Sequence, residues 1–452
     1  MRRTAVLAVP VTALAVLLAH PATAQAPRIT GVFEQQLTFD ESYAQGEPSI
    51  AVNPRDPKNI VVTFLANVGY GFYGAEHGIA PTQPRAREQA MQGCDEMVTF
   101  DGGKHWKRQQ LPVASFAQDP TRPNCSDTLV LFDAKGVAYV VGSNFQFPSF
   151  AAGQGDFRLI RSYDGGRTWT KASVVSPAVL SPGSDPAAAK GVRFYDDREF
   201  MALDRSTGYL YVNGTQGRAA ADAQGNIEYL ATSRDGGRTW ADAIAVGSAA
   251  AVQLAAAHGI VLFTSPQPAT GGTGECGDCT DVVVSTDGGR SVKRYATFIP
   301  ASGGLLGGAS AVADPRHKGR FAIVTTDSSG ALLVYATKDA GLHWNRVGRI
   351  TVPGRSPAKL WLDWSPEGVL GVGWRGTTAD GHYGFWGAVS FDDGRHFTVR
   401  RISRIDSPKT TGVWVAGDDT SAIWLTKDRF YATWGDWRTG ALQTFWGGFS
   451  FR

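Results

Sequence analysis

The stretch Ser162-Tyr-Asp-Gly-Gly-Arg-Thr-Trp169 decides the fold, because its pattern returns five more times between strand-like runs. The other copies are Thr99-Phe-Asp-Gly-Gly-Lys-His-Trp106, Ser233-Arg-Asp-Gly-Gly-Arg-Thr-Trp240, Ser285-Thr-Asp-Gly-Gly-Arg-Ser-Val292, Thr337-Lys-Asp-Ala-Gly-Leu-His-Trp344 and Ser390-Phe-Asp-Asp-Gly-Arg-His-Phe397. Successive copies start 52 to 71 residues apart, the length of a small four-stranded sheet with its loops, so the chain repeats one structural unit. The Asp carboxylate suits a tight turn because it accepts backbone hydrogen bonds, and the Gly supplies a positive φ. The eighth residue, Trp in four copies, can fold back beside the turn.

Around the boxes, seven segments each show a short apolar run, a polar turn and a second apolar run, the signature of a hairpin. They begin at Ser49, Thr128, Phe200, Val252, Ser310, Lys359 and Ser421. The last unit has no box and ends after a third strand near Leu442 to Phe451. Its missing outer strand is expected from Ile29 to Phe39, which would remove an open sheet edge.

The octapeptide resembles the Asp-box, the bacterial neuraminidase repeat of sialidases and many other β-propellers. The resemblance implies an all-β fold, a β-propeller of four-stranded blades with Asp-box turns in six of them. In that family the box joins the third and fourth strands of a blade on the face away from the binding site, so the six Asp residues read as scaffold. Seven blades are expected. Sialidases themselves have six, and a six-bladed ring with one unit outside it is the alternative.

Arg2 and Arg3, an apolar stretch from Ala5 to Ala19 and the Ala22-Thr23-Ala24 cleavage pattern mark residues 1–24 as a signal peptide. Residues 25–452 then form a single propeller domain, expected to be secreted, extracellular or periplasmic, with no membrane attachment after cleavage. An uncleaved anchor is the other reading of the stretch. Lys and Arg total 44 against 41 Asp and Glu, and this near-neutral balance argues against nucleic acid as a partner. A monomer is expected. The four cysteines of an exported chain read as disulfides. Cys94 precedes a third strand and Cys125 an inner strand on the same propeller face, which favours a Cys94–Cys125 bridge. Cys276 and Cys279 favour a local bridge over zinc, for which no partner ligands have suitable spacing.

The starts of inner strands and the ends of second strands open on one face around the central channel. That face receives Glu47, Asp127, Asp196, Asp197, Arg198, Glu199, Lys359, Asp418 and Asp419, with Arg375, Asp436 and Arg438 at second-strand ends. Convergent carboxylates and guanidiniums are what a glycosidase needs. The longest insertion, from Val68 to Gly93, carries Tyr70, Tyr73, Glu76 and His77 and reads as a binding loop or a stabilising flap.

The resemblance to sialidases implies a glycoside hydrolase acting on an extracellular glycan, with a Tyr-Glu nucleophile pair, an Asp acid/base and an arginine triad. Carried onto this chain, it suggests Tyr383 as nucleophile, Glu199 as its base and Asp197 beside it, with Asp95 or Glu76 as acid/base. Arg198, Arg375 and Arg438 are the anion-binding candidates, and Asp127, Glu47 and Asp419 complete the substrate-binding set. The Arg-Ile-Pro segment typical of sialic-acid cleavage is replaced by Gly46-Glu-Pro48, without an arginine. The alternative is a non-catalytic propeller that binds a glycan or a protein at the channel mouth. No cofactor is expected, although Asp-rich turns such as Gly417-Asp-Asp-Thr420 contain oxygen ligands of the kind calcium takes.

Overall fold

Alternating apolar residues make each hairpin signal the first two strands of a four-stranded antiparallel sheet, and seven such sheets form the ring of a β-propeller. This computed structural model describes residues 28–39, 43–68, 93–113, 125–145, 155–175, 194–218, 227–247, 253–266, 279–300, 309–410 and 416–452. The proposed signal peptide lies outside them. The inner strands of blades 1 to 7 are Ala44–Val52, Cys125–Phe132, Phe194–Asp204, Ala255–Ala257, Ser310–Ala313, Ser356–Trp364 and Ser421–Leu425. The seven-blade expectation holds, and no helix occurs among the described residues.

Blade 7 closes as the sequence predicts. Its outer strand is Ile29–Gln36, which pairs with Gln443–Phe451, Ile29 lying opposite Phe451. Phe33 stacks edge-on against Trp446 at 4.9 Å, fixing the N-terminal strand to the blade.

Register separates two faces. In blade 1, Gly46 pairs with Leu65 and Leu65 with Cys94, whereas Val52 pairs with Ile60 and Ile60 with Thr99. The box from Thr99 therefore lies at the opposite end of the blade from Glu47. In the box of blade 2, the Ser162 hydroxyl donates to Asp164 Oδ1 at 2.8 Å and accepts from Gly166 N–H at 2.8 Å. Asp164 in turn accepts from Thr168 N–H and Oγ1 at 2.9 and 2.6 Å. A Cβ on Gly166, whose φ is +96°, would lie 3.0 Å from Val61 of blade 1. In blade 1, a Cβ on Gly103 would meet Trp446 of blade 7. The turn is thus a close-packed joint between neighbouring blades.

The Cys94–Cys125 disulfide forms as expected and ties the third strand of blade 1 to the inner strand of blade 2. Cys279 is disulfide-bonded, and Cys276 lies outside the described residues.

A cavity of about 140 Å³ follows the ring axis, walled by inner strands that include Ala255, Ala311, Phe200, Trp361 and Trp424. Gln253 of blade 4 spans it. Its amide donates to Leu362 O at 2.9 Å and accepts from Leu362 N–H at 3.3 Å, two blades away.

Candidate active site

Four inner strands begin with the same irregularity. Pairing jumps from Gly46↔Leu65 to Ser49↔Thr63, from Ser126↔Ser143 to Leu129↔Val141, from Asp197↔Thr215 to Phe200↔Asn213 and from Ala358↔Arg375 to Trp361↔Gly373. Each jump sets two residues against one, a β-bulge, and bulges re-aim side chains at functional sites. The first bulged residues are Glu47, Asp127, Arg198 and Lys359. Glu47, Asp127 and Lys359 have φ of 52°, 50° and 53°, in the left-handed region that costs a non-glycine residue energy. A left-handed first residue is the conformation of a G1-type bulge, where glycine is usual; here three blades place charged residues at it, which marks them as candidates for a site.

The side chains gather at the channel mouth between blades 6, 7, 1 and 2. Glu47 is 6% exposed. Burial raises its pKa well above the usual carboxylate range, and the neighbouring Asp127 and Asp419 charges and a hydrogen bond with Asp127 act in the same direction. Glu47 Oε2 has no hydrogen-bond partner among the described residues. Lys359 Nζ pairs with Asp419 at 3.3 Å, while burial pushes the lysine pKa down. The Glu47 N–H donates to Asp418 at 2.6 Å. A buried carboxyl that keeps its proton beside an ionisable partner is equipped to donate that proton.

Other expected residues are placed differently. Arg375 has no exposed surface; it pairs with Asp418 and donates to Ala416 O at 2.7 Å and Asp418 O at 3.0 Å. Arg438 pairs with Asp436 at 2.6 Å and Glu34 at 2.8 Å. Both guanidiniums are thus paired with carboxylates of the chain itself, Arg375 fully buried and Arg438 partly so; a buried cation demands such a fixed counter-charge. Tyr383 is fully buried, and its hydroxyl donates to Gly435 O at 3.2 Å. Burial and the nearby Asp436 raise the phenol well above its usual pKa, so as placed it is a buried neutral phenol rather than an exposed nucleophile.

Glu199 is 2% exposed within the blade 3 bulge. Asp196, Asp197 and Arg198 lie on the same strand, and their side chains are outside the described residues, as are Tyr70, Tyr73, Glu76 and His77 of the insertion. Asp95 pairs with Arg108 at 2.7 Å. Among the described residues, no three His, Cys, Asp or Glu side chains are arranged to hold a metal.

The part played by Asp418 was not legible in the sequence. A Cβ on Gly46 would lie 2.8 Å from Asp418 Oδ2 and 2.6 Å from Leu442, so the Arg375–Asp418 pair fills the space that a side chain at position 46 would need. The one available signal was the glycine itself, directly before a charged residue at a strand start.

No family model matches the chain, and no curated protein sequence matches it. Solved structures do. A protein of unknown function from Dyadobacter fermentans aligns with a TM-score of 0.52 at 13% identity, covering 95% of this chain and 100% of that one. A Hadza microbial sialidase aligns with a TM-score of 0.50 at 15% identity, over 90% of this chain and 66% of that one. A mutant Trypanosoma rangeli sialidase displaying trans-sialidase activity gives 0.50 at 11% identity, over 93% and 58%. The chain thus spans about three-fifths to two-thirds of the length of those two sialidases. At these identities the likeness establishes a shared fold, a sialidase-like β-propeller.

Proposed function

We propose that this chain is an exported glycan-active propeller that hydrolyses a glycosidic bond with carboxyl groups at its channel mouth. The observation that carries the reading is the convergence of Asp419 with Glu47, Asp127 and Lys359, the last three on bulged strand starts with left-handed backbone. Glycoside hydrolysis calls for one carboxylic acid that protonates the leaving oxygen and one carboxylate that attacks or activates water. Glu47, held protonated, serves as the acid. Asp127 or Asp419 serves as the carboxylate, with Lys359 positioning Asp419. The fold shared with sialidases supports a glycan as ligand, and the Cys94–Cys125 bridge supports an oxidising compartment.

The test is turnover of a panel of fluorogenic glycosides by the mature protein, beside Glu47→Gln and Glu199→Gln. Glu47→Gln is expected to lose about 10² to 10⁴ of kcat, the usual contribution of a general acid. Because the acid must be protonated, activity should persist below its raised pKa and fall as pH rises through it. If no glycoside is turned over while glycans are retained on an array, the chain is a binding propeller.

A further inference from the structure

We infer that the buried Arg375–Asp418 pair is the positioning unit of the mouth: it sets the loop that presents Asp419 and anchors the bulge that carries Glu47. The inference rests on the hydrolase reading and assigns two further residues to that site. Arg375 stands near the end of the second strand of blade 6, opposite Ala358 at the bulge of Lys359. Its guanidinium reaches into blade 7, where it donates to the carbonyls of Ala416, Asp418 and Thr420 and to the Asp418 carboxylate. A planar fork satisfies several acceptors in one fixed geometry, which an ammonium on a flexible stem does not.

The grip shapes the loop. Ala416 and Gly417 have φ of 63° and 116°, so the chain turns through two successive left-handed residues before the inner strand Ser421–Leu425. A Cβ on Gly417 would run into the Arg375 guanidinium, and a Cβ on Gly435 into the Asp418 carboxylate. Glycine at both places lets the ion pair lie against the backbone. Asp419 stands between two residues whose carbonyls Arg375 holds, and its own carboxylate meets Lys359 Nζ at 3.3 Å.

Asp418 carries the constraint into blade 1. Its Oδ1 takes Arg375, and its Oδ2 accepts the Glu47 N–H at 2.6 Å, at a bulged residue whose φ is 52°. One carboxylate thus joins the blade 6 guanidinium to the blade 1 backbone, while the same loop presents Asp419 to Lys359. Neither member of the pair has exposed surface, so neither touches a substrate. Their part is to fix the spacing between the Glu47 acid and the Asp419 carboxylate, where a misplacement of about 1 Å costs on the order of 10² in rate.

The experiment compares the mature protein with Arg375→Lys and with Arg375→Met/Asp418→Asn. Both variants are expected to fold, the first because an ammonium still faces Asp418, the second because no buried charge is left unpaired. On the glycoside that the wild type turns over, each should lose at least about tenfold of kcat with KM changed by less than about twofold. In Arg375→Lys the alkaline fall of kcat should also move to lower pH by about one unit, as Glu47 loses burial and the held Asp419 and Asp418 charges beside it. Arg320→Lys removes the fork from a second pair, with Asp314 at 3.3 Å at the box end of blade 5, and should move neither reading. Titration of Glu47 by ¹³C NMR, its signal identified by loss in Glu47→Gln, reads the same shift without turnover. Wild-type kcat with an unmoved Glu47 titration in Arg375→Lys overturns the inference, as do loss of the fold in both variants and an equal loss of kcat in Arg320→Lys. The two readings fail separately. A wild type without turnover whose Glu47 titration still shifts in Arg375→Lys removes the hydrolase and keeps the pair's hold on the mouth. Turnover that is lost in Glu47→Gln but unchanged in both Arg375 variants keeps the hydrolase and removes the positioning role.

Discussion

Glu96 and Glu228 lie under the blade surfaces with no exposed area. Burial lifts both to about 8, although Trp169 and Gln109 hydrogen-bond the first and Ser265 the second. A folded-state pKa above the unfolded value of 4.5 means that folding takes up a proton. Their favourable contribution is therefore complete below about pH 4.5 and is lost as pH rises to about 8. Asp235 behaves oppositely. Against the upward push of burial, hydrogen bonds from Thr239, Ser233 and Arg238 hold it at about 2, so its contribution is present above pH 3.8 and is lost as pH falls towards 2. Thermal unfolding across pH 5 to 9 should show Glu96→Gln flattening the alkaline decline and raising Tm at pH 8. A parallel shift at both ends of that range would contradict the assignment. At this scale the sequence is least informative. Tyr383 and Arg375 carry the residue types of a sialidase site, yet their burial is decided by Gly435 and Asp418, which reach them from the next blade.

The strand and the turn were the most legible elements. The box predicts its own hydrogen bonds, because Ser or Thr, Asp and Gly at those spacings can satisfy one another locally. Ser162→Ala strands the buried Gly166 N–H and should cost about 1–3 kcal/mol of unfolding free energy, measured by denaturant titration. No loss would mean that the turn is held by the Asp164 bonds alone. The bulges were not legible, since Glu47, Asp127 and Lys359 show no glycine or turn signature. Only the register of the neighbouring strand reveals them. The disulfide was legible because two strand starts fell on one face. It closes a separation of 31 residues, so Cys94→Ala/Cys125→Ala should lose about 3–4 kcal/mol, with a fall in Tm as the readout.

The count of seven blades followed from hairpin signals rather than from boxes, because blade 7 has none and is completed by Ile29–Gln36. Removing residues 29–36 leaves the Gln443–Phe451 strand with an unpaired edge and uncovers Trp446. Such edges template association. Size-exclusion chromatography should show this truncated protein shifting into aggregates, and a soluble species with unchanged Tm would show that closure is dispensable.

That closure also sets the order of events in biogenesis. The Ile29–Gln36 strand waits for Gln443–Phe451, synthesised about four hundred residues later, with Arg28 and Arg452 joined by a reciprocal pair of backbone hydrogen bonds at 3.1 Å. Individual blades can form while the chain is still emerging, but the circle cannot shut until Gln443–Phe451 is free. A nascent chain stalled anywhere before blade 7 therefore presents an open, adhesive arc. Its protection until then falls to whatever binds the nascent chain, not to the propeller itself.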